Sequence, residues 1–204
     1  MATLLLAGSS QAALYTVGPF TTGFANGGVV PDGTTGWSDS RTATIADHSI
    51  TGVNVTFTIT GGYNGDLYAY LTHGGVSVVL LNRVGTGLGG EPQFSFGYST
   101  AGFNNITLDN AAGTSIHNVL NPTAGGSYQP DGGTLASFNN LDPSGNWTLF
   151  FADRSSGDAS QSTITSWSLT ITAVPEPVTT ALILFGTLAA VICLGRRVYH
   201  RAQA

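Results

Sequence analysis

Aspartates beside turn sequences are the residues of this chain best suited to metal chemistry. Asp66 follows the turn pair Asn64-Gly65, and Asp153 and Asp158 stand at the two ends of one Ser/Gly-containing segment. Calcium binds hard oxygen ligands such as carboxylates, so these three aspartates are the candidate ligands, and Ca²⁺ is the only metal cofactor that the sequence favours. Aspartates also cap turns through nearby backbone amides, and turn capping is the alternative interpretation of the same residues.

Tyrosines form a second candidate set, for carbohydrate binding. Aromatic rings near Asn, Asp or Gln side chains make stacking platforms for sugars. Tyr68 and Tyr70 alternate with Leu67 and Leu71, which predicts that they project from the opposite face of a strand. Packing within the protein is the alternative, because aromatic residues favour strands in general. The candidate stacking residues are Tyr63, Tyr68, Tyr70, Tyr98 and Tyr128.

Histidine and cysteine are too sparse for the common catalytic and zinc sites. Between positions 13 and 173 the only histidines are His48, His73 and His117, and no Gly-x-Ser-x-Gly nucleophile motif is present. The single cysteine, Cys193, has no second cysteine with which to form a disulfide or a zinc cluster. We therefore expect no catalytic residues and no enzyme activity.

The charge balance argues against a nucleic-acid partner. The chain contains no Lys, and charged residues make up 8% of it. Between positions 13 and 173, three Arg against nine Asp and one Glu give a net charge of −7. Such a surface offers no basic stripe to neutralise a phosphate backbone.

Alternation of apolar and polar residues is the main structural signal between positions 13 and 173. Apolar residues at every second position of 53–59 alternate with Asn and Thr, as in a half-buried strand, and 167–171 repeats the pattern. The segment 147–151 is apolar on both faces, which predicts a central strand. Further short strands are predicted at 67–71, 76–81 and 93–98.

These short strands, separated by Gly-Gly pairs and other turn sequences, predict an all-β fold. We expect an antiparallel, jelly-roll-like sandwich over residues 13–173, with one core closed between two sheets. The predicted core residues are Val53, Val55, Phe57, Ile59, Leu67, Leu71, Trp147, Leu149, Trp167 and Leu169.

Both ends of the chain have the composition of targeting segments. Residues 1–12 combine a short apolar run with small residues, which predicts a remnant signal peptide cleaved after Ala12. Residues 178–195 contain no charge, and a helix of that length covers about 27 Å, enough for the hydrocarbon core of a membrane. We therefore expect one C-terminal transmembrane helix. The cations flanking it on the cytoplasmic side are Arg196, Arg197 and Arg201.

A short motif stands directly before this predicted span. Val174-Pro175-Glu176-Pro177 contains two close prolines, which prevent a helix or strand from continuing. The order of Pro-Glu-Pro, apolar span and Arg cluster over residues 174–204 resembles the PEP-CTERM sorting signal of Gram-negative bacteria. The resemblance implies an exosortase-type sorting enzyme as partner, at least transient anchoring in the membrane, and export from a bacterium that makes exopolysaccharide.

Four segments of the predicted sandwich resemble the P domain (P/Homo B), the β-sandwich that follows the protease domain of proprotein convertases. The more specific pair is Gly145-x-Trp147-x-Leu149 with Asp153, and Ser166-Trp167-Ser168-Leu169; weaker matches lie at 45–55 and 64–71. A His that commonly precedes the Asp-Leu block of that family is missing, because Gly61-Gly62-Tyr63 stands there. The resemblance implies a P-like module without catalysis of its own.

The expected function is that of an exported, non-enzymatic surface or extracellular-matrix protein, sorted by an exosortase-type system to the cell surface or beyond, with exopolysaccharide as a further partner. Two alternatives stay open: a calcium- or carbohydrate-binding module, and an accessory P-like domain that docks on a separate protease. A site lined by Asp or Tyr favours the first alternative. A contiguous apolar surface patch favours the second.

Overall fold

Two β-sheets packed face to face make up the domain. The computed structural model describes residues 11–33, 35–87, 96–155, 161–175 and 185–192. Phe57 of one sheet meets Phe151 of the other with ring centroids 5.5 Å apart, which fixes the sheets as the two layers of a sandwich. The strands are β1 (Ala13–Phe20), β2 (Trp37–Ala43), β3 (Ser49–Thr60), β4 (Leu67–His73), β5 (Val76–Asn82), β6 (Phe103–Leu108), β7 (Ser127–Tyr128), β8 (Gly145–Asp153) and β9 (Thr163–Val174).

The strand order places distant parts of the chain side by side. One sheet has five strands in the order β1-β9-β3-β6-β7, and the other has four in the order β2-β8-β4-β5. The neighbouring strands pair antiparallel, except β6 and the two-residue β7, which pair in parallel. The predicted β-sandwich is therefore confirmed. The doubly apolar strand β8 lies between β2 and β4, as its sequence predicts.

The core is filled by the inward-facing residues of both sheets. In β3 and β9, buried residues recur at every second position, as the sequence pattern predicts. All ten predicted core residues are buried, with exposures of at most 4%: Val53, Val55, Phe57, Ile59, Leu67, Leu71, Trp147, Leu149, Trp167 and Leu169. The prediction of the core is confirmed.

Strand β2 points a carboxylate into the sandwich. Asp39 is 9% exposed, and its Oδ2 accepts a hydrogen bond of 2.7 Å from the indole nitrogen of Trp167 in the opposite sheet. The same oxygen lies 2.7 Å from Nε of Arg41. The guanidinium of Arg41 covers the ring of Phe20 at 4.7 Å. A buried charge is thus paired and hydrogen-bonded, as burial requires.

The edge strand β1 is tied to the loop after β2 by one side-chain contact. The hydroxyl of Tyr15 donates to Oδ2 of Asp47 at 3.0 Å. Desolvation, together with the adjacent Asp47 carboxylate, raises the pKa of the Tyr15 phenol above its ordinary value.

One predicted strand does not form over the residues that the structure describes. In the predicted strand 93–98, residues 93–95 lie outside the described residues, and residues 96–98 belong to no strand. Gly97 adopts a positive φ of 80°, and the amide of Tyr98 donates to the carbonyl of Val84. The left-handed backbone at Gly97 ends any extended conformation there.

The sheet ends where the predicted sorting motif begins. Val174 is the last residue of β9, and Pro175 follows it half-buried. Farther along, residues 185–192 form a helix whose apolar side chains are exposed, Phe185 by 71%. Within the described ranges, no helix has the length and apolarity needed to cross a membrane. The other predicted targeting residues lie outside the described ones: 1–10, Glu176, Pro177, 178–184, 193–195, Arg196, Arg197 and Arg201.

Candidate functional site

The outward face of the four-stranded sheet carries aromatic and hydroxyl side chains in rows. Strand register sets Ser38, Phe150, Tyr70 and Val79 side by side across β2, β8, β4 and β5. Tyr68 lies on the same face, two residues before Tyr70. We call Tyr68, Tyr70 and Phe150, with the hydroxyl row beside them, the aromatic face.

The three rings of the aromatic face touch one another. Tyr70 and Phe150 are cross-strand neighbours that stack at 4.5 Å with 15° between their planes. Tyr68 meets Tyr70 edge-on, with centroids 6.2 Å apart. The Phe150 ring lies over Gly36, where an added Cβ would fall 2.0 Å from its tip. Gly36 therefore leaves room for a ring that lies along the sheet.

A row of four hydroxyl side chains flanks these rings. Register aligns Ser40, Thr148, Thr72 and Ser77 across the same four strands. Thr148 donates to Ser40 through their side-chain oxygens at 3.0 Å. No side chain in the aromatic row or the hydroxyl row carries a charge. An aromatic surface beside uncharged hydroxyl groups suits a ligand that stacks and hydrogen-bonds, as sugars do.

A β-bulge ends the aromatic face at one side. Between Ala69 and Tyr70 the pairing of β4 with β5 shifts by one residue. Consequently Leu80 and Leu81 are both buried, and Asn82 faces outward opposite Tyr68. Without the bulge, the period-two alternation of β5 would turn Asn82 toward the core.

Beyond the bulge lies a cavity of about 410 Å³, which we call the arginine pocket. Tyr68, Asn82, Arg83 and Arg154 line it. Arg83 directly follows β5 and Arg154 directly follows β8, so both cations come from strand ends on the same side of the sheet. Tyr68 belongs to the arginine pocket and to the aromatic face at once.

Two of the three predicted calcium ligands, Asp66 and Asp153, lie near this pocket. Asp66 and Asp153 are 4% and 0% exposed, and Asp153 pairs in register with Leu67, the residue after Asp66. Oδ1 of Asp153 accepts from the amide of Ser155 at 3.0 Å, which is the turn cap of the alternative interpretation.

Calcium binding by these aspartates stays a prediction. The Nη2 atom of Arg83 lies 4.0 Å from Oδ1 of Asp66, a neighbour that disfavours a cation. Among the residues that the structure describes, no group of three or more His, Cys, Asp or Glu side chains is placed to hold a metal ion. Asp158 lies outside those residues.

The five candidate tyrosines divide into three environments. Tyr68 and Tyr70 meet on the aromatic face, whereas Tyr98 and Tyr128 are only 7% and 9% exposed and belong to the core. The hydroxyl of Tyr128 also accepts from the amide of Thr123 at 2.7 Å. Tyr98 and Tyr128 therefore pack inside the domain and are not surface stacking residues.

Tyr63, the fifth tyrosine, is 42% exposed and lines a second cavity of about 460 Å³. Phe96 and Leu120, which are 68% and 49% exposed, line the same cavity. We call these three residues the apolar patch. It shares no residue with the aromatic face.

Two histidines of the domain, His73 and His117, contact loop residues. The ring nitrogens of His73 lie 2.9 and 2.6 Å from the carbonyl oxygens of Asn146 and Asp142, and the ring stacks on Trp147. Nδ1 of His117 lies 2.8 Å from Oδ2 of Asp131. That pair has the form of a catalytic His-Asp dyad, but Nε2 of His117 already contacts the carbonyl oxygen of Thr86 at 3.0 Å.

Comparison with known proteins gives the chain no family. No protein-family model matches it, and no curated protein matches it in sequence. Similar solved structures include the serine protease of Aeromonas sobria and the complex of that protease with the chaperone ORF2, both at 14% identity, with TM-scores of 0.47 and 0.49. They cover 82% and 80% of this chain, which spans only 29% and 28% of theirs.

Proposed function

We propose that this chain is an exported, non-catalytic surface or extracellular-matrix protein whose sandwich domain binds polysaccharide through the aromatic face. The observation that carries the proposal is the alignment of Tyr68, Tyr70 and Phe150 beside an uncharged hydroxyl row. Sugar rings present C–H groups to aromatic faces and hydroxyl groups to polar neighbours. The aromatic row would therefore stack on the sugar, and the hydroxyl row would hydrogen-bond to it. An open sheet face can accommodate an extended chain of sugars.

Removing the central ring of the aromatic face is the direct test. Tyr70→Ala is expected to weaken binding of the full chain to a polysaccharide by about two- to tenfold, since one stacked aromatic contact contributes about 0.5–1.5 kcal/mol. Gly36→Ala is expected to weaken binding as well, because its new methyl group displaces the Phe150 ring. Affinity electrophoresis in gels that contain the polysaccharide measures both effects.

Tyr63→Ala is the matched control, because it removes an exposed tyrosine from the apolar patch instead. It should leave the affinity unchanged. Equal affinities for Tyr70→Ala and the unmodified chain, at equal melting temperature, would refute carbohydrate binding by this face.

The export part of the proposal is supported by the sequence around Pro175-Glu176-Pro177. The last sheet residue, Val174, directly precedes this motif, so a sorting enzyme would meet it at the end of the folded domain. The exposed apolar helix at 185–192 packs none of its large side chains into the sandwich core. We propose that the segment 174–204 serves in sorting by an exosortase-type enzyme.

Mass spectrometry of the protein from a bacterium with such an enzyme tests this sorting. We expect an N-terminus at Ala13 and a C-terminus altered at the Pro-Glu-Pro motif. Replacing Pro175 and Pro177 by alanine should leave the C-terminal segment intact. If the unmodified protein and the variant without the two prolines both keep an unprocessed C-terminus, the proposal is contradicted.

A protein-docking role is a second candidate. An accessory P-like domain would need an exposed apolar surface to dock on a separate protease, and Tyr63, Phe96 and Leu120, which are exposed and line one cavity, are the candidates for it. Because the apolar patch and the aromatic face share no residue, the two roles are separable by substitution.

The topology is also consistent with the jelly-roll-like arrangement that we infer for the domain. The order β1-β9-β3-β6 faces the order β2-β8-β4-β5, so the chain passes repeatedly from one sheet to the other. Such crossing connections are the mark of two interleaved Greek keys.

A further inference from the structure

The few cations of the domain are unevenly placed. Between positions 13 and 173 the sequence has only three Arg and no Lys, against ten acidic residues. Two of these three, Arg83 and Arg154, line the arginine pocket. The third, Arg41, is engaged with Asp39 and Phe20 at another edge of the sandwich. An acidic domain thus gathers most of its positive charge in one cavity.

The backbone that presents Arg83 is unusual for a residue with a side chain. Arg83 has a φ of 55°, in the left-handed region that favours glycine. Its amide donates to the carbonyl of Leu67 at 2.9 Å, and its carbonyl accepts from Thr86, which together hold this conformation. A strained residue kept in place by its surroundings is typical of functional positions.

The guanidinium groups of the pocket retain hydrogen-bonding capacity. Arg83 has a carboxylate neighbour in Asp66, but at 4.0 Å, and its buried Nε has no acceptor among the described residues. Arg154 is exposed and forms no ion pair within the described part of the chain. Guanidinium groups favour planar anions such as carboxylates, which they bind with two parallel hydrogen bonds.

Tyr68 and Asn82 complete a mixed recognition surface. Tyr68 lines the pocket with one part of its surface and contacts the ring of Tyr70 on the aromatic face. The backbone amide of Asn82 donates to Oδ2 of Asp131 at 3.2 Å. The cavity of about 410 Å³ falls in the range of small-molecule sites. A ligand unit in the pocket would therefore adjoin units that stack on the aromatic face.

We propose that the arginine pocket is a subsite for the carboxylate of an acidic sugar, a uronate unit within the polysaccharide that the aromatic face binds. This inference rests on the proposed function, and it adds the charge of the ligand. Arg154 and Arg83 bind the carboxylate, Asn82 and the Tyr68 hydroxyl bind ring hydroxyls, and the neighbouring sugars cross Tyr70 and Phe150.

The test compares an oligogalacturonate with a cello-oligosaccharide of equal length, by calorimetry on the full chain. The acidic ligand is expected to bind about tenfold or more tightly, since hydrogen bonds to charged groups are the strong ones. Added salt should weaken acidic but not neutral binding. Arg154→Gln should abolish this preference and leave neutral binding and the melting temperature unchanged. Arg154→Lys should keep part of the preference, because lysine retains the positive charge but lacks the planar guanidinium group that binds a carboxylate through two hydrogen bonds.

The outcomes separate this inference from the proposed function. Equal affinity for both ligands, or a preference that survives Arg154→Gln, would overturn the acidic subsite and leave carbohydrate binding intact. Binding of neither ligand would overturn both. If inorganic phosphate binds with the same dependence on Arg154 and competes with no sugar, the pocket is a simple anion site and the uronate assignment is wrong. Weaker binding of both ligands by Tyr68→Phe would support direct contact between the Tyr68 hydroxyl and the ring hydroxyls of the sugar.

Discussion

Trp147→Ala is expected to lower the free energy of unfolding by about 3–5 kcal/mol, because it deletes a large side chain that the core cannot refill. Trp147 is fully buried in the central strand β8. Its indole stacks on His73 with centroids 3.9 Å apart and meets Phe138 at 5.2 Å. The indole nitrogen also donates to the carbonyl of Pro143 at 3.0 Å. Urea unfolding followed by circular dichroism measures the loss.

Two comparisons make this result specific. Trp147→Phe keeps most of the ring packing and loses the indole hydrogen bond, so a smaller loss of about 1–2 kcal/mol is expected. Leu14→Ala, at a side chain that is 70% exposed, should change stability little. A loss under about 1 kcal/mol for Trp147→Ala would contradict the packing around β8.

The fold was predictable wherever residues alternate strictly between apolar and polar. Strands β3 and β9 bury every second side chain with few interruptions, so the sequence indicates both their position and their inward face. Strand β8 is apolar on its outward face too, because Phe150 stacks there on Tyr70. That signal correctly predicts a central strand, with neighbours on both sides.

Strand β2 was not predicted from the sequence, and the reason is physical. Its inward positions include Asp39, a carboxylate that the period-two rule assigns to solvent. The carboxylate is buried because Trp167 and Arg41 both donate to it, and Trp167 belongs to the opposite sheet, far from Asp39 in the sequence. The hydrogen bond between Trp167 and Asp39 spans 128 positions of sequence, so no local sequence pattern indicates it.

The aromatic face was only half predictable. Alternation with Leu67 and Leu71 places Tyr68 and Tyr70 on one outward face, and the structure confirms that placement. Phe150 and Asn82 join them only through cross-strand register, and Asn82 requires a bulge that shifts β5 by one residue. A single sequence does not indicate the register between strands, so the arginine pocket could not be predicted before the structure was known.

Asp39→Ala is expected to destabilise the domain by about 2–3 kcal/mol, although it removes a charged side chain from a largely apolar interior. The loss arises because the indole N–H of Trp167 and the guanidinium of Arg41 then lose the acceptor that they share at 2.7 Å. Asp39→Asn should cost less, since its amide oxygen still accepts from the indole. Thermal and urea unfolding at neutral pH measure these losses.

A double-mutant cycle isolates the hydrogen bond between the sheets. Trp167→Phe removes the indole N–H, so Asp39→Ala in that background leaves one fewer buried donor without an acceptor. We therefore expect the two substitutions to be less than additive, with a coupling of about 1–2 kcal/mol. Additive losses would mean that Asp39 acts through Arg41 alone. The cycle thus decides whether the carboxylate joins the two layers directly, through Trp167, or indirectly, through the packing of Arg41 on Phe20 of the opposite sheet.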